Sequence, residues 1–240
     1  MPLSNQVVLV TGASRGIGAA IVREMLKAGV AKIYATARDV TSLQALPDPR
    51  VVPLQLDITS DASVTAAAQL AGDIDVLVNN AGTLAFGDYI SSRLETFEDD
   101  MRTNYFGTLR VLRAFTPQFV ARKSGTIANV SSVVGLSAVP LMAGYSASKA
   151  AVHSLTQSLR GTLEKDNITV IGIYPGPIET DLAKPVPYPK VTPDHAAIRI
   201  VRAIAEGQTY IFPDPMAQQV EQLWSTDNRK LEHVALHLGG

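Results

Sequence analysis

The chain has 240 residues, 21 lysines and arginines against 22 aspartates and glutamates, and no cysteine. At that length one domain can bury enough surface to fold unaided, and 46% hydrophobic with 18% charged residues is a globular balance. The missing thiols exclude a disulfide framework, a zinc–cysteine site and a cysteine nucleophile, and a net charge of −1 without a block of like charges makes nucleic acid an unexpected partner.

The first six residues carry no basic leader, and no apolar stretch approaches the roughly 18 residues of a membrane helix. A cytoplasmic protein with no membrane partner is expected. Short β-branched runs then alternate with longer segments of helical period, the pattern of βαβ units around a parallel sheet buried on both faces. Strands are predicted at 6–11, 32–37, 51–55, 75–79, 125–130, 168–174 and 209–212. Helices are predicted at 16–28, 60–70, 92–122, 146–165 and 193–206. Thr192-Pro193 reads as a cap with proline in the first turn, and Gly207 as the stop of the same helix.

Residues 183–193 hold Pro185, Pro187, Pro189 and Pro193, too many for a helix or a central strand. A loop there follows the sixth strand, where an open parallel sheet opens its ligand crevice; it is a candidate substrate lid or a rigid surface connector. Asp214-Pro215 starts another helix, with Met216, Val220, Leu223 and Trp224 on one face. Leu231, Val234, Ala235 and Leu238 form a second such face before Gly239-Gly240. Both read as packing helices. The prediction is thus one domain over residues 1–240, an α/β doubly wound parallel sheet of about seven strands with helices on both faces, a substrate loop at 181–192 and a tail at 213–240. No internal repeat is visible.

The first strand runs into Thr11-Gly12-Ala13-Ser14-Arg15-Gly16-Ile17-Gly18 and then a helix. Glycines let backbone approach a pyrophosphate, and free N–H groups at the helix start attract it. Tyr145 and Lys149 are four apart and share a helical face. An ammonium beside the phenol is expected to pull its pKa down, so that it can exchange a proton with a carbonyl oxygen near neutral pH. After the second strand, Ala37 is followed by Arg38, where an acid would favour a ribose hydroxyl and an arginine a 2′-phosphate. With Arg15 as a second cation, NADP(H) is favoured over NAD(H). Asp39 is the counter-argument; it points the other way along the strand and can serve as a helix cap.

In identity, order and spacing these segments resemble the short-chain dehydrogenase/reductase family, as do Asn79-Asn80-Ala81-Gly82 after the fourth strand, Asn104, Ser131-Ser132 ending the fifth, and Tyr174-Pro175-Gly176 ending the sixth. The likeness runs from about residue 6 to 211. It implies a Rossmann-type fold and four catalytic residues. Tyr145 would be the general acid/base and Ser132, thirteen residues earlier, would orient the carbonyl. Lys149 and Asn104 would form a proton relay, Asn104 through a held water. The resemblance further implies cofactor contacts at Gly12, Ser14, Arg15, Gly16, Ile17, Gly18, Arg38, Asp57, Ile58, Asn79, Asn80, Ala81, Gly82, Tyr145, Lys149, Pro175, Gly176, Ile178 and Thr180. Asp57, Ser131 and Thr180 also have plainer readings as cap or turn residues.

His233 and His237 have the spacing of a metal pair but no third ligand, and His153 and His195 look structural, so no metal site is expected. The expected activity is reversible reduction of an apolar ketone or aldehyde with NADPH. The substrate lining is expected from residues 133–142 and 183–190. Two alternatives stand beside it: 3-oxoacyl-carrier-protein reduction, with Arg93, Arg102 and Lys184 receiving the carrier, and a non-catalytic NADPH sensor. A homodimer or homotetramer, paired through the two long helices at 92–122 and 146–165, is what the resemblance implies.

Overall fold

Strands that are apolar on both sides must lie in the middle of a layered structure, and the sheet shows this residue by residue. In β1 (Val7–Val10), Val8 and Val10 pack into one core while Leu9 packs into the other. β4 (Val76–Asn79) repeats the division with Val76 and Val78 against Leu77, and β5 (Gly125–Val130) with Ala128 and Val130 against Ile127. The computed structural model describes residues 3–237. With β2 (Lys32–Ala37), β3 (Val51–Gln55), β6 (Ile168–Ile173) and β7 (Tyr210–Ile211), the strands form one parallel sheet in the order β3-β2-β1-β4-β5-β6-β7. Chain direction across the sheet reverses between β1 and β4, the position where such folds open a ligand crevice.

Helices cover both faces. On one, α1 (Gly16–Lys27) packs beside α6 (Pro193–Glu206), burying Ile21, Met25, Ile200 and Ile204. On the other lie α2 (Asp61–Leu70), α4 (Thr108–Arg122) and α5 (Ala143–Leu163), with Val64, Phe115, Phe119 and Leu163 in the second core. Pro53 sits in β3, the edge strand, where its missing N–H is tolerated. The anticipated stops of α6 are present: Thr192 Oγ1 accepts from the His195 amide at 3.2 Å, and Gly207 ends the helix in the left-handed conformation. α7 (Pro215–Thr226) and α8 (Asn228–Leu236) form the tail. Leu238 and the Gly239-Gly240 pair fall outside the described residues. No helix among those described is long and apolar enough to cross a membrane.

Several boundaries differ from the sequence reading. Four strands are shorter than predicted: β1 and β7 by one residue at each end, β4 by one at its start and β6 by one at its end. The helix expected over 92–122 is three pieces: α3 (Leu94–Asp100), a π-helical segment Met101–Gly107, and α4. The wide turn is held by contacts from elsewhere in the chain. The Asn104 amide is bonded to the Thr83 backbone, and Gly107 lies so near Ile58 that a Cβ would meet its Cδ1 at 2.7 Å. A π turn of this kind is common at functional sites. α5 begins at Ala143 rather than 146 and ends at Leu163, with Lys165 in a following 3₁₀ turn, so Tyr145 lies inside its first turn.

Candidate active site

A cleft of about 690 Å³ opens along the carboxyl ends of the strands. At one end is the glycine turn. Gly12 and Gly16 have φ of +64° and +57°, and a Cβ on Gly12 would stand 2.9 Å from Ala81 Cα, so the turn closes onto the β4 loop as only glycine allows. No side chain caps α1 and no acid lies in its first turn. Its N-terminal N–H groups and dipole therefore face the cleft ready for an anion. Gly12, Ser14, Arg15, Gly16, Ile17, Arg38, Asp57, Ile58, Asn80, Ala81 and Gly82 all line this end. These residues fit the pyrophosphate and adenosine of a dinucleotide.

Asp39 turns away from it. Its carboxylate caps a 3₁₀ turn, accepting from the Thr41 amide at 2.9 Å and hydroxyl at 2.8 Å. Asp57 accepts from the Thr59 amide and hydroxyl, which hold its pKa down, while Ser60 caps α2. Arg15 meets Asp181, on the loop after β6, at 3.2 Å with both side chains exposed. The same loop brings Thr180 Cγ2 to 3.1 Å from where a Cβ on Gly16 would stand. Residues 177, 178 and 180–183 border the cleft, as do Val186 and Tyr188 of the proline-rich stretch 183–193.

In the middle of the cleft Ser132, Tyr145 and Lys149 come together with Pro175, Gly176, Ile178 and Thr180. Tyr145 and Lys149 share the cleft face of α5, as their spacing requires. Ser132 follows β5, its Oγ donating to Pro175 O at 3.2 Å. Ser131, rather than capping the strand, donates to Lys149 O at 2.8 Å and anchors α5 to β5. Lys149 Nζ donates to Val130 O at 2.9 Å and lies 5.6 Å from the Tyr145 ring centre.

The net fall expected for the Tyr145 pKa is not met. Burial dominates and pushes the phenol up, with Ser132 pulling the other way and the Asp100 charge adding to the rise. Burial likewise brings Lys149 down to about 8, against the pull of Asp100.

Three predicted site residues do not line the cleft. Gly18 sits behind the turn, where a Cβ would lie 2.3 Å from Gly12 O. Asn79 is buried in the sheet and donates to Asn129 Oδ1 at 2.8 Å. Asn104 is fully buried, and its side chain is committed. Oδ1 accepts from the Thr83 amide, and Nδ2 donates to Thr83 O and Ser148 Oγ, each at 2.9 Å. Both amide protons are spent, which leaves the second lone pair of Oδ1 and the main chain for a water.

The other end of the cleft is apolar: Val133, Val134, Val139 and Met142 from the segment after Ser132, and Val186 and Tyr188 from the proline-rich loop. Sequence reasoning missed the third wall. Met216, Val220 and Leu223 of α7 with Leu231, Val234 and Ala235 of α8 face the cleft. Trp224 packs instead against Tyr210, Phe212 and His153. Asp214 caps α7 through the Ala217 amide at 2.9 Å and also accepts from the Gly176 amide at 2.7 Å, tying the tail to the loop after β6. Among the described residues no group of three metal-binding side chains is assembled, and His237 Nδ1 bonds to His233 O.

The short chain dehydrogenase family model matches residues 6–189. The chain is 35% identical over 243 aligned positions to Dehydrogenase/reductase SDR family protein 7-like of Anopheles gambiae, covering 90% of this chain and 77% of that one. It is 31% identical to a 3alpha-hydroxysteroid dehydrogenase of Mediterraneibacter gnavus, covering 95% and 97%. It spans about three fifths of several other curated relatives. A short chain dehydrogenase from Burkholderia cenocepacia solved in complex with NADP superposes with a TM-score of 0.93, at 37% identity, over 98% of this chain and 99% of that one. A seven-stranded doubly wound sheet with a glycine turn at its switch point is the architecture of a dinucleotide-binding α/β protein, and this chain belongs to the short-chain dehydrogenase/reductase family of oxidoreductases.

Proposed function

We propose that the protein is an NADPH-dependent carbonyl reductase, reversible as an alcohol dehydrogenase, acting on an uncharged apolar ketone or aldehyde. One observation carries the reading: Ser132, Tyr145 and Lys149 meet between a glycine turn flanked by two arginines and a wall of aliphatic side chains. When bound, the reduced nicotinamide supplies the hydride. The Ser132 hydroxyl donates to the carbonyl oxygen and holds it beside Tyr145, which gives that oxygen its proton. The phenol's raised pKa keeps it protonated as the acid until the oxygen gains charge. Lys149 stabilises the phenolate left behind, and Asn104 takes part in returning a proton. Gly176, Ile178 and Thr180 border the nicotinamide end.

Arg15 and Arg38 support NADPH, since both line the adenosine end while Asp39 is occupied as a cap; the Burkholderia cenocepacia relative was solved with NADP. The carrier-protein alternative is weakened because Arg93, Arg102 and Lys184 are absent from the cleft lining, Arg93 and Arg102 being paired to Glu95 and Asp99. The sensor alternative has no use for the assembled Ser132, Tyr145 and Lys149. Exposed Leu94, at the start of α3, and Phe106, in the π-helical segment before α4, support a homodimer or homotetramer, which light scattering tests.

The test of the activity is purified protein with NADPH or NADH and a panel of apolar ketones, acetoacetyl thioesters and sugars, followed by nicotinamide absorbance. Turnover of the ketones is expected, with Arg38→Ala raising the KM for NADPH about 10- to 100-fold, the worth of a charge-assisted hydrogen bond. Tight NADPH binding without turnover favours the sensor. NADH preference in both wild type and Arg38→Ala refutes the charge argument.

A further inference from the structure

Asp100, the last residue of α3, has no solvent exposure. Neither carboxyl oxygen has a hydrogen-bond partner of ordinary distance and angle among the described residues. An anion so placed is unfavourable without a compensating charge. It lies four residues ahead of Asn104, about one π turn, on a stretch packed against α5. Across that contact Asn104 Nδ2 reaches Ser148 Oγ, whose hydroxyl donates to Tyr145 O at 2.8 Å, and Ser148 is the neighbour of Lys149.

The groups that act on this carboxyl come from every side. The Lys149 ammonium on α5 and the Ala85 amide on the facing loop draw it toward the anion, Asp99 on its own helix opposes, and burial outweighs them all, raising it to about 6. In return its charge favours protonated Lys149 and disfavours ionised Tyr145. Among the described residues, Asp100 is the charged group that acts on Lys149.

We propose that Asp100 is a positioning residue of the reductive site: fully buried one turn from Asn104 on the stretch packed against α5, with no hydrogen bond of ordinary distance and angle to its oxygens, it is the counter-charge that keeps Lys149 an ammonium. The role rests on the carbonyl reductase reading for its consequence, because a neutral Lys149 leaves the Tyr145 phenolate without a cation. It acts through Lys149 and touches neither substrate nor cofactor.

The test is direct titration of lysine ammonium groups by nitrogen NMR in the full chain labelled with ¹⁵N-lysine, the Lys149 signal being identified by its loss in Lys149→Met. In Asp100→Asn the Lys149 midpoint is expected to fall by about one pH unit or more, a tenfold change in its protonated-to-neutral ratio. Asp100→Glu restores it. Coupling between two groups is reciprocal, so in Lys149→Met the Asp100 carboxyl, followed by carbon NMR in chain labelled with ¹³C-aspartate and identified by its loss in Asp100→Glu, is expected to titrate at higher pH than in the wild type. This second arm stands even if Asp100→Asn does not fold. An unchanged midpoint in either arm overturns the proposal. With a reducible ketone, the alkaline limb of kcat moves to lower pH in Asp100→Asn. Absence of any turnover counts against the reductase reading, while the two titrations still decide the counter-charge.

Discussion

Gly82→Ala presses on the site from behind. A Cβ there would lie 2.7 Å from Asn104 Oδ1 and 3.5 Å from Lys149 Nζ. The oxygen it strikes is not the end of a loose side chain, since three hydrogen bonds to Thr83 and Ser148 hold the Asn104 amide. Either the amide rotates and gives up bonds worth about 1 kcal/mol each, or α5 and the π turn separate. Overpacking of this kind costs about 1–3 kcal/mol. A domain of this size loses about 2–4 °C per kcal/mol. Calorimetry is therefore expected to show a Tm lower by about 2–12 °C. The reduction rate falls at least about tenfold as the relay shifts. Gly161→Ala is the control, because nothing lies within 4 Å of the new methyl and α5 should gain about 0.5–1 kcal/mol. A Gly82→Ala protein melting within about 1 °C of wild type and keeping its kcat would refute the reasoning.

Tyr145→Phe is expected to lower kcat about 10²- to 10⁴-fold with NADPH affinity retained; full activity means that the proton donor lies elsewhere. Lys149 is cationic below about 8 and neutral above it, so reduction should be flat with pH below that value and decline above it. A rate still climbing at about pH 9 contradicts the assignment. Asp214→Ala removes the α7 cap and strands the Gly176 amide, costing about 1–3 kcal/mol. Its KM for apolar ketones should rise as the tail loosens, and an unaltered Tm and KM would show that the two bonds hold nothing.

Strands could be read from sequence because residues such as Leu9 and Val10 are apolar in succession, a pattern that water-facing strands avoid. The glycine turn and the Tyr145–Lys149 pair were likewise legible, being local in spacing and chemistry. The π turn was not, since it depends on Asn104 meeting Thr83 some twenty residues away in the chain. Asp100 reads in sequence as one more acid in Glu98-Asp99-Asp100, and only tertiary packing removes it from water. The rise of the Tyr145 pKa was missed for the same reason: spacing places the ammonium near the ring, but burial, which decides the sign, belongs to the assembled cleft. The faces of α7 and α8 were visible as apolar stripes, yet a stripe does not say whether it meets a core or a ligand.

The wall built by α7 and α8 lies wholly beyond residue 189, where the match to the family model stops. One of the apolar walls of the cleft is thus written in a different length of chain from Ser132, Tyr145 and Lys149, while the others, from Val133 to Met142 and at Val186 and Tyr188, lie inside that match. Because Asp214 fastens the tail to the Gly176 amide, a graft of a foreign tail that begins before Asp214 and keeps its carboxylate is the natural unit for changing specificity without rebuilding the catalyst.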